Sequence, residues 1–359
     1  MTKHKKFELP WILMIKFPSI EQFRTVISEV RYFYKDLEMP TLKFRGAVKL
    51  HGTNAGVCWS KGKGLWVQSR KNVITPEKDN AGFAKFVHKQ KADFEKLLRA
   101  ILSATEYSDN PDAKIALFGE WCGKGIQAGV AIAEVSPRLV VFGVSVTIPY
   151  SNPNPDLDMM EERIWLPLEA SQDALHESPL SDVYHIANYP TWTIDIDFNK
   201  PQLSQNILAE ITEEVERECP VGKAFGVSGI GEGVVWTGQL TVPGGATKNL
   251  RFKVKGEKHS VSKVKTLAPV DVEKVKSIQE FMDYAVTENR MAQGYDELIT
   301  KKGLVPDTKQ IGPFIKWVRD DVLKEESDTM KASGLEAKDI SKALSIRAKA
   351  WFQKKMTLC

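Results

Sequence analysis

The chain has 359 residues, of which 42% are hydrophobic and 27% charged, and its formal net charge is +4. This length suits two domains, and the composition is that of a folded chain rather than a disordered or fibrous one. No apolar run reaches the ~18 residues that a membrane-spanning helix needs, and so small a net charge does not by itself demand a nucleic-acid partner.

The N-terminal Met1-Thr2-Lys3-His4-Lys5-Lys6 is basic, but no apolar stretch follows it, so no secretory signal is expected. Ser19 and Gln22 stand at capping-box spacing, and Ile20, Phe23, Val26, Ile27 and Val30 recur at helical period. Together they predict an amphipathic helix over 19–35. Strands are expected over Leu42–Leu50, Gly56–Ser60 and Leu65–Ser69, flanking a polar turn and ending at Arg70. Phe83, Phe86, Val87, Phe94, Leu97, Leu98 and Ile101 then mark one long helix over Ala81–Ser103. Strands return at Lys114–Gly119 and Leu139–Ile148.

Residues 151–181 are rich in Pro, Asn, Asp and Ser and predict an irregular insertion, followed by strand character over Tyr184–Phe198. Pro201–Cys219 is expected as a helix with Leu203, Ile207, Ile211 and Val215 inward. Further strands are expected at Gly233–Thr237 and Leu250–Lys255. Beyond about Leu267 every periodic segment is helical, most clearly Val270–Ala285, Ile311–Lys324 and Asp339–Met356, which places a domain boundary near 262–268. Cys58, Cys122, Cys219 and Cys359 lack metal-ligand spacing, so reduced thiols in the cytoplasm (the host cytoplasm, for a viral protein) are expected.

Residues 49–54 read Lys-Leu-His-Gly-Thr-Asn. A lysine amine is a nucleophile only when deprotonated, so desolvation or a nearby cation must act on it near neutral pH. Gly52 permits a tight backbone turn beside the amine, while Thr53 and Asn54 offer short hydrogen-bonding groups. Basic residues cluster over Arg251–Lys265 (Arg251, Lys253, Lys255, Lys258, Lys263, Lys265) and again near the C-terminus, from Lys331 to Lys355. Such clusters suit a phosphate backbone, although the second also fits solvated helix faces.

Other segments follow the lysine turn in order. They are Phe118-Gly119-Glu120-Trp121 leading into Gly123-Lys124-Gly125-Ile126-Gln127, then Val140 to Val146, Glu232-Gly233-Val234-Val235-Trp236, and Phe252-Lys253-Val254-Lys255-Gly256. In these motifs the chain resembles the covalent nucleotidyltransferases, the superfamily of polynucleotide ligases and RNA capping enzymes. It looks most like the RNA ligase 2 family, whose lysine motif carries His where DNA ligases usually carry Asp. The resemblance covers residues 49–255 well and the remainder loosely.

The resemblance implies an α+β fold. A nucleotidyltransferase (ATP-grasp-like adenylyltransferase) domain of antiparallel sheets and helices would occupy 1–265, with an N-terminal extension and an insertion around 151–198. A small α-helical C-terminal domain would occupy 266–359, where DNA ligases and capping enzymes carry a β-rich OB fold. A chain cut near Lys265 would then retain AMP transfer and lose sealing.

The implied reaction is ATP-dependent joining of RNA 3′-OH and 5′-phosphate ends, at nicks in duplexes, through lysyl-AMP and RNA-adenylate. Lys49 would take AMP, His51 would act after adenylation, and Lys253 and Lys255 would contact the α-phosphate and depress the pKa of Lys49. Glu120 would bind the ribose, Asn54 and Arg70 the nucleotide, and Phe142 would stack on adenine. Glu232 would sit by the lysine and a Mg²⁺ or Mn²⁺ ion. Thr53, Gln127 and Lys258 would serve RNA or substrate contacts. RNA is the implied partner, with no membrane and no obligate protein partner. Phe142 also reads as a core residue, Arg70 as the opening of a solvated loop, and the paired lysines as an exposed edge. A capping-type guanylyltransferase using GTP, or a relative that binds nucleic acid without catalysis, are the alternatives.

Overall fold

The computed structural model describes residues 14–35, 37–150, 160–258 and 278–358. In chain order the strands begin with β1 (Glu21–Gln22), β2 (Thr41–Lys49), β3 (Thr53–Ser60), β4 (Gly64–Ser69), β5 (Val73–Ile74) and β6 (Lys114–Cys122). They continue with β7 (Arg138–Tyr150), β8 (Met160–Trp165), β9 (Val183–His185), β10 (Thr191–Asp197), β11 (Gly233–Thr241) and β12 (Thr247–Lys255). The first helices are α1 (Phe23–Phe33), α2 (Phe83–Lys89), α3 (Lys91–Ser103), α4 (Leu168–His176), α5 (Gln205–Arg217) and α6 (Pro220–Ala224). The last are α7 (Ile278–Ala285), α8 (Glu288–Leu298), α9 (Ile311–Glu325), α10 (Ser327–Ala332) and α11 (Ala337–Leu358).

The chain forms two compact units, each assembled from separated stretches. The first takes Ala47–Thr191 and Glu218–Gly231 with the residues up to Ser19. Its sheet runs β5-β4-β3-β6-β7-β8, with β9 added parallel to β7. One face buries Val57, Val67, Leu117, Val141 and Val144 against Phe83 and Val87 of α2 and Phe94, Leu98 and Ile101 of α3. The other face carries a smaller cluster of Ile15, Cys58, Trp66, Ala116 and Phe118, joined by Phe17, Phe142 and Trp165. A bulge separates the faces on β7. Phe118 pairs with Gly143 and Gly119 with Val141, which leaves Phe142 as the extra residue and keeps Val141 and Val144 in one core.

The second unit takes Ile20–Gly46, Trp192–Arg217 and the chain from Glu232 onward. Its sheet runs β1-β12-β11-β2-β10. Phe252 of β12 lies 4.9 Å from Phe23 of α1 and 5.2 Å from Phe44 of β2, ring centre to ring centre, so α1 covers the apolar face of this sheet. Helices α7–α11 bury Phe281, Phe314, Val318, Val322, Leu344 and Phe352 in a core of their own.

Buried charge ties α1 to α9. Arg290 of α8 is fully buried, with Asp321 at 2.8 Å and Glu326 at 3.1 Å. Glu326 also meets Arg24 of α1 at 3.2 Å, and Arg24 donates to Thr329 Oγ1 at 2.6 Å. Removing one partner from a buried pair of this kind costs about 3–5 kcal/mol, because the remaining charge cannot be solvated.

Several expectations are corrected. The capping box at Ser19 does not form: Glu21 and Gln22 are extended and pair in parallel with Phe252 and Lys253, so the helix starts only at Phe23. A strand pairing supplied by residues far along the chain outweighs the local cap. The single helix over 81–103 is two, broken at Gln90, whose side chain bonds both the N–H and the C=O of Ser181. The irregular insertion contains order, with β8 pairing to β7 and helix α4 following. Leu203 and Ile207 are exposed. The buried stripe of the helix is Leu208, Thr212 and Val215, where Thr212 satisfies its hydroxyl on the Leu208 carbonyl. The expected boundary at 262–268 and the start of the helix from Val270 lie outside the described residues.

Candidate active site

Lys49 is the last residue of β2, and the chain turns through Leu50, His51 and Gly52 into β3. Lys49 Nζ makes a long 3.5 Å contact to the Leu50 carbonyl, and His51 is half-buried within the turn. Gly52 is fixed by space: a Cβ there would lie 2.3 Å from the Trp121 carbonyl oxygen and 2.9 Å from Cys122 Cβ. The backbone of Gly52 is held on both sides by side chains. Its N–H donates to Glu120 Oε1 at 3.0 Å, and its carbonyl accepts from Gln127 Nε2 at 3.1 Å. Asn54 and Thr53 stand directly across the ladder from Glu120 and Trp121. Asn54 and Glu120 therefore share one face.

A second brace comes from a loop that the sequence did not reveal. Asn80 Nδ2 donates to Thr53 Oγ1 at 3.1 Å, and Trp121 Nε1 donates to the Ala81 carbonyl at 2.8 Å. Ala81 has φ 52° and Gly82 φ 81°, so two left-handed residues stand side by side, one of them paying a steric cost. Asp79 stabilises this shape, its carboxylate accepting from the N–H groups of Asn80, Ala84 and Lys85 at the start of α2. The only signal available was an Asp-Asn pair ahead of an Ala-Gly turn, which is too common to single out.

Arg70 sits exposed at the turn between β4 and β5. Phe142 is half-buried at the bulge, with the Phe17 ring 5.0 Å away at a steep angle. The space beside Gly143 is filled rather than open, since a Cβ there would lie 3.3 Å from the Trp165 ring. Gln68, buried under residues 14–19, exchanges hydrogen bonds with the backbone of Ile15 at 3.1 and 2.6 Å. Gly56 makes room for it.

The remaining candidate residues lie in the second unit. Glu232 immediately precedes β11 and is 3% exposed, with Oε1 3.1 Å from Lys255 Nζ. Gly233 (φ 143°) lets the strands close, for a Cβ would meet the Val254 carbonyl oxygen at 2.1 Å. Lys253 and Lys255 alternate along β12 and share one face, opposite the buried Phe252 and Val254. They are not an exposed edge: their side chains are 17% and 19% accessible, and Lys253 Nζ lies 3.2 Å from Glu325 Oε2 of α9. Burial alone would lower the pKa of Lys255, but Glu232, with help from Glu325 and Asp321, raises it above the usual lysine value. Lys258 is exposed, and its N–H donates to Glu216 Oε1 at 2.6 Å.

No group of three or more His, Cys, Asp or Glu among the described residues is placed to hold a metal ion. A Mg²⁺ ion here would be held by a single carboxylate, Glu232, rather than by a cage built by the protein. Burial pushes the Cys58 and Cys122 thiols well up, which makes both inert. No described helix is long and apolar enough to cross a membrane.

Residues 43–255 match the RNA ligase family. The chain belongs to that family. The match opens ahead of Lys49 and closes on Lys255, so it holds the motifs named above up to Lys255. No curated protein matches the chain. Among solved structures it is similar to RNA ligase from Naegleria gruberi. A lysine-to-methionine mutant with AMP and Mn shows 18% identity and a TM-score of 0.41, covering 67% of this chain and 56% of that one. An arginine-to-alanine mutant with ATP and Mn shows 17% identity and a TM-score of 0.41, covering 68% and 56%. The match thus spans little more than half the length of those RNA ligase chains.

Proposed function

We propose that the chain is an ATP-dependent RNA ligase of the RNA ligase 2 type, joining 3′-OH and 5′-phosphate ends at nicks in duplexes that contain RNA. The observation that carries this is the doubly held turn at Gly52. Gly52 stands three residues after Lys49, and its donor and acceptor are bound by Glu120 and Gln127, two motif residues far away in sequence. So much positioning of a surface turn serves a group whose placement decides a rate.

In the proposed reaction Lys49 Nζ, having lost a proton, forms a bond to the α-phosphorus of ATP while the bond to pyrophosphate breaks. AMP then passes to a 5′-phosphate on RNA, and a 3′-OH attacks that phosphate to release AMP. Lys253 and Lys255 remain cationic and neutralise charge on the phosphates. Glu120 and Asn54 bind the sugar side of the nucleotide, with Arg70 and Phe142 completing its contacts. His51 acts after adenylation, while Thr53, Gln127 and Lys258 contact RNA. A Mg²⁺ or Mn²⁺ ion, held through Glu232, would supply further charge neutralisation on the phosphates.

RNA is distinguished through its 2′-OH and A-form geometry, because proteins read an RNA duplex mostly by shape. Sealing of four nicked duplexes, with RNA or DNA on each side of the nick, tests the substrate. A deoxyribose at the 3′-OH end should slow sealing, and a DNA strand bearing the 5′-phosphate should be tolerated. Equal rates on all four, or activity confined to single strands, would overturn the nick assignment.

A further inference from the structure

A carboxylate from the C-terminal helices reaches one of the motif lysines. Glu325 closes α9, seventy-two residues beyond Lys253, and its two oxygens lie 3.2 and 3.4 Å from Lys253 Nζ. The contact is held at every corner. Gln22 pairs in register with Lys253 through β1, and Gln22 Nε2 donates to the backbone carbonyl of Glu325 at 3.0 Å. Arg24 NH2 donates to the same carbonyl at 3.0 Å. The neighbouring Glu326 is locked between Arg24 and the fully buried Arg290. The strand that aligns Lys253 is thus bonded to the residue that pairs with it. Both side chains are largely buried, at 17% and 13% exposure.

We propose that Glu325 is a positioning residue for Lys253, and that it makes the C-terminal helices part of the AMP-transfer step. A lysine side chain is a flexible four-carbon stem whose ammonium has three donors. A donor given to Glu325 selects one rotamer of that stem and fixes where the ammonium stands. Although burial opposes its ionisation, Lys253 and Lys324 hold the Glu325 carboxyl far below the usual carboxylate range, so the pair persists throughout the neutral range. The proposal rests on the ligase assignment, and it replaces the expectation that a chain cut near Lys265 keeps full AMP transfer.

The test is a double-mutant cycle on the full chain, read as the rate at which an AMP adduct forms from ATP. Glu325→Gln keeps the shape and removes the charge. It should slow adduct formation about tenfold in the native background and less than about twofold beside Lys253→Ala. The same cycle read as ATP binding, with Lys49→Ala present throughout, serves where Lys253→Ala is too slow to time. Lys324→Ala, which removes the exposed neighbour of Glu325, should change the rate less than about twofold. Equal slowing by Glu325→Gln in both backgrounds would make it a residue of the fold alone and overturn the proposal, as would a Glu325→Gln chain as fast as the native one. A native chain that forms no AMP adduct would instead overturn the ligase assignment, and this proposal with it.

Discussion

The lysine turn and the lysine strand are held in place by different forces. At the turn, Gly52 is fixed by hydrogen bonds to its backbone from Glu120, Gln127 and, one residue on, by Asn80 at Thr53. On β12 the lysines are fixed through their charges, Lys255 by Glu232 and Lys253 by Glu325. The difference follows from what each lysine must be. In the proposed reaction Lys49 is the nucleophile, and the bonds to the Gly52 backbone fix the turn that follows it. Lysines that neutralise phosphate must stay protonated in a desolvated place, and a buried carboxylate secures that. In the proposed reaction, backbone bracing fixes the turn beside the group that reacts, and ion pairs fix the lysines that stay charged.

The largest expected break in this contrast is Gly52→Ala. Its methyl group would collide with the Trp121 carbonyl, a backbone atom that cannot step aside, so the turn must open. Adduct formation by the chain that remains folded should fall at least about a hundredfold, as expected for a nucleophile displaced by an ångström. The melting temperature should also drop, because the opened turn loses the bonds from Glu120 and Gln127. A rate within tenfold of native would mean that the turn is not the positioning device.

Glu232→Ala comes next, and besides slowing the reaction it should lower stability. Lys255 would be left desolvated without its principal partner, at a cost of about 3 kcal/mol measured by denaturant unfolding. The pH range of this effect follows from the raised pKa of Lys255. A group raised on folding contributes fully below its unfolded value and loses the contribution as pH rises through the folded one. The difference between native and variant should therefore be flat at neutral pH and shrink only above about pH 10. Gln127→Ala is the smallest. It removes one neutral hydrogen bond, worth about 1 kcal/mol, so adduct formation should slow roughly fivefold. A larger loss from Gln127→Ala than from Gly52→Ala would reverse the ranking and make Gln127 a direct contact to ATP rather than a brace of the turn.

What the sequence disclosed depended on how far apart the interacting groups lie. Lys49, Glu120, Glu232, Lys253 and Lys255 stand out as candidates because ordered motifs mark them, and most strands are legible because apolar residues alternate. Gln22 was misread because Ser19 offers a local cap, while its actual partner, Lys253, lies beyond the reach of any local pattern. The break at Gln90 depends in the same way on Ser181, and the pairing of Lys253 depends on Glu325. Asp79 and Asn80 matter through a left-handed Ala81 that no propensity would favour. Leu203 and Ile207 follow helical spacing, but the stripe that packs is rotated by one residue to Leu208 and Thr212. Periodicity locates a helix better than it locates the buried face.

The most direct test of the central claim is to incubate the chain with ATP and a divalent metal ion, digest it, and locate any bound AMP by mass spectrometry. One AMP is expected on Lys49, joined through phosphorus to nitrogen and released by acid, with none from GTP and none on the Lys49→Ala chain. AMP on any other lysine, or a guanylate adduct in its place, would contradict the claim.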